Sequence, residues 1–353
     1  MIIKSNIKDY ELTIEENFDF VTDLIQLENA YFVIDKGLYN LYHESLFSLI
    51  PEDKLTIIES LEVNKTIETA LMLCETMTRI PAKRNAHLVS FGGGIIQDIT
   101  GFVANILYRG IHWTFVPTTL LAACDSCIGG KTSLNYKQYK NLLGTFYPPE
   151  DIRVCSLFFK TLSEKDFLSG LGEVVKFNLM YGEQGLRRIE NDLQSLLNRE
   201  EIALNTYLES SLAFKKPFIE EDEFDQGVRI HLNFAHTFGH SFETVSHYSI
   251  PHGTAVAMGM IAANRVSLSR GYLSEELVLS SENVLKQIIR VDLSKISFDV
   301  ETIIDAMRKD KKQTSTDLTA VLLHDDMKLG IFKDIKKEEI VDSLNALIDC
   351  LQS

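Results

Sequence analysis

The 353-residue sequence predicts an α/β domain with a parallel sheet over residues 1–162, followed by a mostly α-helical domain over residues 163–353. Three observations predict this fold, and the first is a length that suits two domains of ~100–200 residues each. In the first part, short β-rich runs alternate with helical stretches, which is typical of a parallel sheet with helices on its faces. In the second part, leucine, glutamate and alanine recur at helical spacing, and only two of the seven prolines occur there.

The strand-like runs of the first domain are short, apolar, and often end in Gly, Pro or Asp. They are AYFVID (30–35), KLTIIES (54–60), AHLVSFGGG (86–94), IHWTFVPTT (111–119) and DIRVCSLFF (151–159). Helical periodicity occupies two of the intervals, NKTIETALMLCETMTRI (64–80) and IIQDITGFVANILYRG (95–110). In the second domain helices are predicted for residues 163–180, 201–219, 236–247 and 253–270. We expect the active site in the cleft between the two domains.

The overall charge limits the partners of the chain. A net charge of −15 argues against a nucleic-acid or anionic-membrane surface, because such surfaces need clustered Lys and Arg. No apolar run approaches the ~20 residues that span a bilayer, and the first residues lack a basic segment followed by an apolar one. We therefore expect a cytoplasmic protein with no nucleic-acid or membrane partner. A small anionic substrate remains compatible with local clusters of positive charge.

The five cysteines are irregularly spaced, and in a cytosolic chain they are expected to be reduced thiols. Cys124 and Cys127 form a CxxC motif, for which a redox or zinc role is the alternative. No second CxxC completes a four-ligand site. The glycines and the lysine that follow indicate another use for this loop.

A glycine-rich turn lies within SFGGGIIQD (90–98). A predicted strand runs into three glycines and then into a predicted helix. Glycines let a backbone approach a pyrophosphate, and a helix N-terminus offers free N–H groups. The motif is not GxGxxG, so a simple tight strand-to-helix turn is the alternative.

A long loop, VPTTLLAACDSCIGGKTSLNYKQYKNLLGTFYPP (116–149), carries polar side chains beside a glycine pair. Asp125, Lys131, Lys140 and Asn141 stand in it. Two lysines and an amide near a flexible turn suit an anion better than they suit a core. A solvated loop is the alternative, but the surrounding run is too apolar for a loop that lies free in solvent.

Glu173 and Lys176, in GLGEVVKF (170–177), are three residues apart and so share a helix face. That spacing usually means a surface ion pair. Here the flanking apolar residues favour a mostly buried helix.

Five of the nine histidines fall between residues 231 and 252. His236 and His240 are four apart and could hold one metal from one helix face, but HExxH is absent. By spacing alone, ordinary core or surface histidines are at least as well supported. A catalytic zinc requires three protein ligands, commonly two histidines and a carboxylate, and one open position.

These motifs together resemble the 3-dehydroquinate synthase family of sugar phosphate cyclases. The likeness extends in order from about residue 30 to residue 325. It is carried by FGGGIIQDITGF, RGIHWTFVPTTLL, DSCIGGKTSLN, YKNLLGTFYPP, KTLSEKDFLSGLGEVVKF, LNFAHTFGHSFE, HGTAVAMGM and MRKDKK. The resemblance implies a dehydroquinate synthase-like fold, with a Rossmann-like nucleotide-binding domain for NAD over residues 1–162 and a helical metal- and substrate-binding domain over residues 163–353. It also implies a homodimer and an enzyme that depends on NAD and on zinc, with cobalt as an alternative metal.

The activity that the resemblance implies is that of a phosphate-eliminating carbon–oxygen lyase. Family members convert 3-deoxy-arabino-heptulosonate 7-phosphate to 3-dehydroquinate and phosphate, a step of the shikimate pathway of aromatic amino acid biosynthesis. The route comprises transient oxidation by NAD, phosphate elimination, re-reduction and an intramolecular aldol closure.

The resemblance also implies a role for each matching residue. The implied metal ligands are Glu173, His236 and His252. The implied cofactor contacts are Asp35, Glu62, Lys65, Gly93, Gly94, Asp98, Thr118, Thr119, Lys140 and Thr161. The implied substrate contacts are Arg109 from a neighbouring subunit, Lys131, Asn141, Lys215, Arg229, His240, Lys311 and Lys312. The implied catalytic set is Asp125, Lys131, Lys176, Arg229, Asn233 and His240. His231 and His247 are expected to be ordinary histidines.

The sequence departs from the family pattern at a few positions. Gln97 and Ala235 stand where the family usually has glycine, and Phe224-Asp225 stands where it usually has Arg-Glu. These departures leave open a related cyclase with another substrate, such as an amino-dehydroquinate synthase. Two further hypotheses compete with a cyclase: a glycerol dehydrogenase-like alcohol dehydrogenase and an inactive binding protein. A plain polyol gives no use to the substrate contacts Lys131, Asn141, His240, Lys311 and Lys312, which argues against the dehydrogenase. The intact ligand set of Glu173, His236 and His252 argues against the inactive protein.

Overall fold

The computed structural model describes residues 1–79, 83–137, 139–293, 299–309, 318–325 and 327–352. The chain divides into two compact units. The first comprises Met1–Thr161 and Lys216–Phe224, and the second comprises Leu162–Lys215 and Asp225–Ser353.

The first unit contains nine strands and four α-helices among the described residues. The strands are β1 (Ile2–Ile3), β2 (Tyr10–Glu15), β3 (Ala30–Asp35), β4 (Leu55–Ile58), β5 (His87–Gly92), β6 (His112–Pro117), β7 (Lys131–Tyr136), β8 (Tyr139–Phe146) and β9 (Asp151–Cys155). The helices are α1 (Asp19–Ile25), α2 (Lys36–Tyr42), α3 (Ile67–Thr78) and α4 (Gly94–Ile106). The five strands and two helices predicted from sequence are confirmed, and the structure adds β1, β2, the two short helices and the β7–β8 pair.

Seven of these strands form one sheet in the order β1-β2-β9-β6-β5-β3-β4. All its neighbours are parallel except β1 and β2, while β7 and β8 form a separate antiparallel hairpin. Strand β3 is buried along nearly its whole length, as expected of a parallel strand covered on both faces. The strand order reverses direction at β3, because β4 lies on one side of it and β5 on the other. In sheets of this kind, ligands bind outside the carboxyl ends of the strands at that switch point.

The second unit is mostly helical, as predicted. Its α-helices are α5 (Glu164–Met180), α6 (Glu183–Leu197), α7 (Glu201–Glu221), α8 (His236–Val245), α9 (His252–Ser269), α10 (Glu275–Ile288), α11 (Val300–Arg308) and α12 (Lys337–Gln352). The last residues of α7 group with the first unit. An antiparallel hairpin of β10 (Leu318–His324) and β11 (Lys328–Ile335) has no counterpart in the sequence predictions. No helix in the described ranges has the length and apolarity needed to cross a bilayer.

Helix α9 is the centre of the second unit, because it packs against α5, α8, α10, α12 and β10. Two glycines of α9 let its backbone come into direct contact with the backbone of neighbouring elements. A Cβ added to Gly253 would lie 1.8 Å from the Ser169 carbonyl oxygen on α5. A Cβ added to Gly259 would lie 2.4 Å from the Ala235 carbonyl oxygen, just before α8. The backbones of α5, α8 and α9 are therefore in contact, and this contact sets the positions of the side chains at their facing ends.

Candidate functional site

Three potential metal ligands converge in the second unit. Glu173 lies within α5, His236 is the first residue of α8, and His252 is the first residue of α9. The Glu173 Oε1 atom lies 3.6 Å from His236 Nε2 and 3.4 Å from His252 Nε2. One carboxylate and two imidazoles form a ligand set that suits a catalytic zinc and leaves a coordination position open. The chemistry of these donors fits the divalent metal that the family resemblance implies.

Each histidine of the cluster also has a partner on its other ring nitrogen. His236 Nδ1 lies 3.0 Å from the Phe234 carbonyl oxygen, and His252 Nδ1 lies 3.1 Å from Glu243 Oε2. A proton on Nδ1 donates to these acceptors and leaves Nε2 as the ligand atom. Both rings are therefore oriented with Nε2 toward Glu173.

Ala235 precedes this cluster in the left-handed conformation, with φ at 67°. A residue with a Cβ loses about 1–2 kcal/mol of stability in that conformation, whereas glycine does not. Alanine in place of glycine at position 235 therefore costs some stability, but the backbone still makes the turn that precedes His236 at the start of α8.

Carboxylates on both sides of His252 favour a cation at this point. Burial by itself lowers the pKa of His252, but the charges of Glu243 and Glu173 outweigh burial and raise that pKa to about 10. A divalent metal would meet the same negative charge, and it would displace the proton on binding.

Glu173 forms a second contact within α5. Its Oε2 atom pairs with the Lys176 ammonium, and both side chains are buried. A surface ion pair, the usual meaning of this spacing, is excluded by that burial. The carboxylate thus presents one oxygen to the two histidines and the other to a lysine.

The sequence did not identify Glu243, which contacts His252 in this cluster. The available signal was its place on α8, three residues beyond His240 and so on the same helix face. Its contact with His252 is the kind of outer-shell hydrogen bond that raises the basicity of a metal ligand.

Replacing Glu243 with glutamine is expected to weaken zinc binding about 10–100-fold, because the neutral amide supports the His252 imidazole less well. Competition with a chromophoric chelator measures the zinc dissociation constant. Glu338→Gln, at an exposed position of α12, is the matched control and is expected to leave it unchanged. An unchanged dissociation constant in Glu243→Gln would show that this contact has no influence on the metal.

The remaining histidines of this segment lie outside the Glu173 cluster. The His240 ring centroid lies 5.3 Å from that of His236 and 5.9 Å from that of His252. With Glu243 and His252, His240 forms a second group of potential ligands. His231 Nδ1 contacts the Val228 carbonyl oxygen, and His247 is exposed.

In the first unit, the candidate nucleotide crevice lies at the switch point of the sheet. Asp35 ends β3, and its Oδ1 accepts a hydrogen bond of 2.8 Å from the Leu38 N–H at the start of α2. Gly93 follows β5 and caps α4. A Cβ on Gly93 would lie 3.0 Å from Thr119, so a larger residue would crowd the turn. The turn is tight, and it also presents a helix N-terminus at the position where a pyrophosphate binds in such sheets.

Four implied cofactor contacts belong to one polar network in the first unit. Lys65 Nζ lies 2.6 Å from Asp98 Oδ2 and is buried. Burial raises the pKa of Asp98, while Lys65 acts in the opposite direction. Glu62 Oε1 accepts from Asn135 Nδ2 at 2.8 Å and lies 3.9 Å from Lys140 Nζ. The structure therefore brings these positions together, far apart as they are in sequence.

The remaining implied cofactor contacts are placed as follows. Thr118 is buried, and Thr119 Oγ1 accepts from the Ala122 N–H at 3.2 Å. Thr161 Oγ1 lies 3.2 Å from the Tyr42 hydroxyl.

The implied substrate residues fall in both units. In the first, Asp125 and Lys131 flank the turn at Gly129 and Gly130. Also in this unit are Arg109 and Asn141, both with positive φ. In the second unit Lys215 and Arg229 are buried and Asn233 is half-buried. Lys311 and Lys312 lie outside the described residues.

Comparison with known families gives two matches that together cover most of the chain. The model of the 3-dehydroquinate synthase N-terminal domain matches residues 55–169, and that of the C-terminal domain matches residues 170–313. The 3-dehydroquinate synthase of Clostridium tetani is 34% identical over 348 residues, which is 96% of this chain and 93% of the relative. That of Dictyoglomus turgidum is 31% identical over 347 residues, 96% of each chain.

Solved structures with the same fold include two synthases and a probable dehydrogenase. The 2-epi-5-epi-valiolone synthase ValA of Streptomyces hygroscopicus, with NAD+ and Zn2+ bound, has a TM-score of 0.85 at 23% identity, covering 96% of this chain and 97% of its own. A 2-deoxy-scyllo-inosose synthase complexed with carbaglucose-6-phosphate, NAD+ and Co2+ has a TM-score of 0.85 at 23% identity, covering 98% of both chains. A probable glycerol dehydrogenase of Sinorhizobium meliloti has a TM-score of 0.66 at 12% identity, covering 97% of both chains. The predicted fold class is confirmed.

Proposed function

The chain belongs to the 3-dehydroquinate synthase family, and we propose that it converts 3-deoxy-arabino-heptulosonate 7-phosphate to 3-dehydroquinate and phosphate. The observation that carries the proposal is the convergence of Glu173, His236 and His252 in a chain that matches 3-dehydroquinate synthases over nearly its whole length. The reaction makes the protein a phosphate-eliminating lyase.

We propose NAD and zinc as its cofactors, with cobalt as an alternative metal. The switch point and glycine turn within residues 1–162 support a dinucleotide site there, and the ligand cluster within residues 163–353 supports the metal. Bound NAD supplies reversible hydride transfer, and a bound divalent metal supplies Lewis acidity at a substrate hydroxyl.

The protein's own residues would hold the substrate through every step. Lys176, Lys215 and Arg229 are buried cations in a chain whose net charge is −15. Together with Lys131 they suit the phosphate and carboxylate groups of the keto acid, since preorganised cations stabilise charge that develops during elimination. Asp125, Asn233 and Asn141 would contact its hydroxyl groups. The residues that we propose to bind the substrate are Arg109, Asp125, Lys131, Asn141, Lys176, Lys215, Arg229, Asn233, His240, Lys311 and Lys312.

Phosphate elimination needs little from the protein beyond orientation. A substrate phosphate oxygen can itself remove the proton next to the transient ketone, provided that the phosphate is held close to that carbon. Cations around the phosphate, with His240 among them, would supply this positioning. The later aldol closure is intramolecular and benefits from the same restraint.

Phosphate release is the decisive measurement. Purified protein with NAD+ and Zn2+ is expected to release one phosphate for each 3-dehydroquinate formed, without net accumulation of NADH. Glycerol with NAD+ tests the dehydrogenase hypothesis, because a net dehydrogenase would accumulate NADH. No release from zinc-loaded, folded protein, together with release from an amino or a neutral sugar phosphate, would overturn the proposed substrate in favour of a specialised cyclase.

We also propose a homodimer in which Arg109 reaches the partner's substrate. Analytical ultracentrifugation tests the dimer, and a monomer that turns over at full rate would contradict the role of Arg109.

A further inference from the structure

Gln97 forms a reciprocal pair of hydrogen bonds with Ser126. Its Nε2 donates to the Ser126 carbonyl oxygen at 2.7 Å, and its Oε1 accepts from the Ser126 hydroxyl at 2.7 Å. Gln97 is only 3% exposed and Ser126 is half-buried, so both bonds are partly shielded from water. The side chain therefore holds both the backbone and the hydroxyl of one residue.

The next residue of α4, Asp98, forms hydrogen bonds with Ser133, which follows Ser126 in the same segment of the chain. Asp98 accepts from the Ser133 N–H and from the Ser133 hydroxyl, each at 2.9 Å. Consecutive side chains near the start of α4 thus restrain positions 126 and 133. The segment between them, which we call the 126–133 loop, turns at Gly129 and Gly130, with φ at 106° and 64°.

This loop carries two residues of the proposed substrate site. Asp125 immediately precedes it, and Lys131 lies within it. The loop also lies close to the glycine turn, because a Cβ added to Gly94 would lie 3.7 Å from the Ser126 hydroxyl oxygen. Ser126 therefore lies between the candidate pyrophosphate turn and the residues proposed to hold the substrate.

We propose that Gln97 is a positioning residue for the phosphorylated substrate. Through Ser126 it fixes the 126–133 loop, and with it Asp125 and Lys131, against the start of α4. Glycine, which the family usually has at position 97, offers no side chain for either bond. This inference rests on the proposed function, because it assigns Asp125 and Lys131 to the substrate.

Gln97→Met removes both hydrogen bonds while it keeps the side-chain length and the helix propensity. We expect KM for 3-deoxy-arabino-heptulosonate 7-phosphate to rise about tenfold, since two hydrogen bonds no longer hold the loop. The Kd for NAD+, read by tryptophan or NADH-competition fluorescence, and the melting temperature are expected to change little. At position 126, Ser126→Thr keeps a hydroxyl and is expected to retain a near-normal KM, whereas Ser126→Val, which lacks the hydroxyl, is expected to raise it.

Gln194→Met is the matched control. It makes the same exchange on α6 and removes a surface hydrogen bond of 2.9 Å to Gln287, far in sequence from every proposed site residue of the first unit. Its KM is expected to equal that of the wild type. A Gln97→Met variant with unchanged KM, or with a lowered melting temperature as its only effect, would overturn the positioning role.

The wild-type rate separates the two proposals. If the wild type does not release phosphate, the proposed function fails, and hydrogen exchange of the peptide spanning residues 119–135 then decides whether Gln97 restrains the 126–133 loop. Faster exchange confined to that peptide in Gln97→Met supports the restraint of the loop by Gln97, and unchanged exchange overturns it.

Discussion

Replacement of His236 with alanine is expected to abolish zinc retention and to lower the rate of phosphate release by about 10³-fold or more. Loss of one of three ligands leaves a carboxylate and a single imidazole, too few for a tight zinc site. The Lewis acidity lost with the metal is worth several kcal/mol, and each 1.4 kcal/mol corresponds to about tenfold in rate. Zinc per protomer, by elemental analysis, and phosphate release are measured on the same preparation.

His247→Asn is the control for this variant. His247 is exposed and has a φ of 50°, and asparagine tolerates that left-handed conformation. Zinc content and rate are expected to match those of the wild type. Full zinc content in His236→Ala would contradict the ligand assignment, and full activity without zinc would contradict the role of the metal.

Replacement of Lys176 with methionine is expected to reduce the free energy of unfolding of the metal-free protein by about 3–5 kcal/mol. The variant removes the ammonium that pairs with Oε2 and leaves the buried Glu173 carboxylate to the two histidines at Oε1. The removal of one partner of a buried ion pair costs about that much. In the proposed metal site the same carboxylate holds zinc, so saturating zinc is expected to recover part of the loss. Urea denaturation with and without zinc measures both effects.

Lys309→Met provides the comparison for Lys176→Met. Lys309 pairs with Asp305 at 3.8 Å at the exposed end of α11, and the same type of side chain is removed. Exposed pairs of this kind contribute about 0–1 kcal/mol, so the change is expected to be small. Equal stabilities of the metal-free wild type and Lys176→Met would show that the buried carboxylate does not depend on Lys176.

Local sequence patterns determined the elements of the fold. The β-rich composition of 30–35 and the helical spacing of 64–80 correspond to β3 and α3. The strand pair β7–β8 was not predicted. The glycine pair and the polar side chains of residues 116–149 indicated a loop there. The β10–β11 hairpin was not predicted either, because helical periodicity is the strongest sequence signal in the second unit and the hairpin follows those helices.

The sequence by itself also determined the family, since long ordered motifs identify homology without any knowledge of contacts. Within that family, residue identities indicated the ligand set of Glu173, His236 and His252, whereas spacing alone offered His236 and His240 as a pair. In the structure it is His236 and His252 that lie beside Glu173, because α5, α8 and α9 meet through Gly253 and Gly259 at backbone distance.

Only the tertiary structure could show the partners of Gln97, Glu243 and Lys176. Gln97 is distant from Ser126 in sequence. The sequence showed that glutamine replaces the usual glycine at position 97, but it did not show which residue the glutamine contacts. The Glu173–Lys176 spacing suits an exposed pair and a buried one equally well, and only burial distinguishes them. Periodicity specifies which face of an element is apolar, but hydrogen bonds between distant segments depend on how those faces pack, and packing is a property of the whole chain.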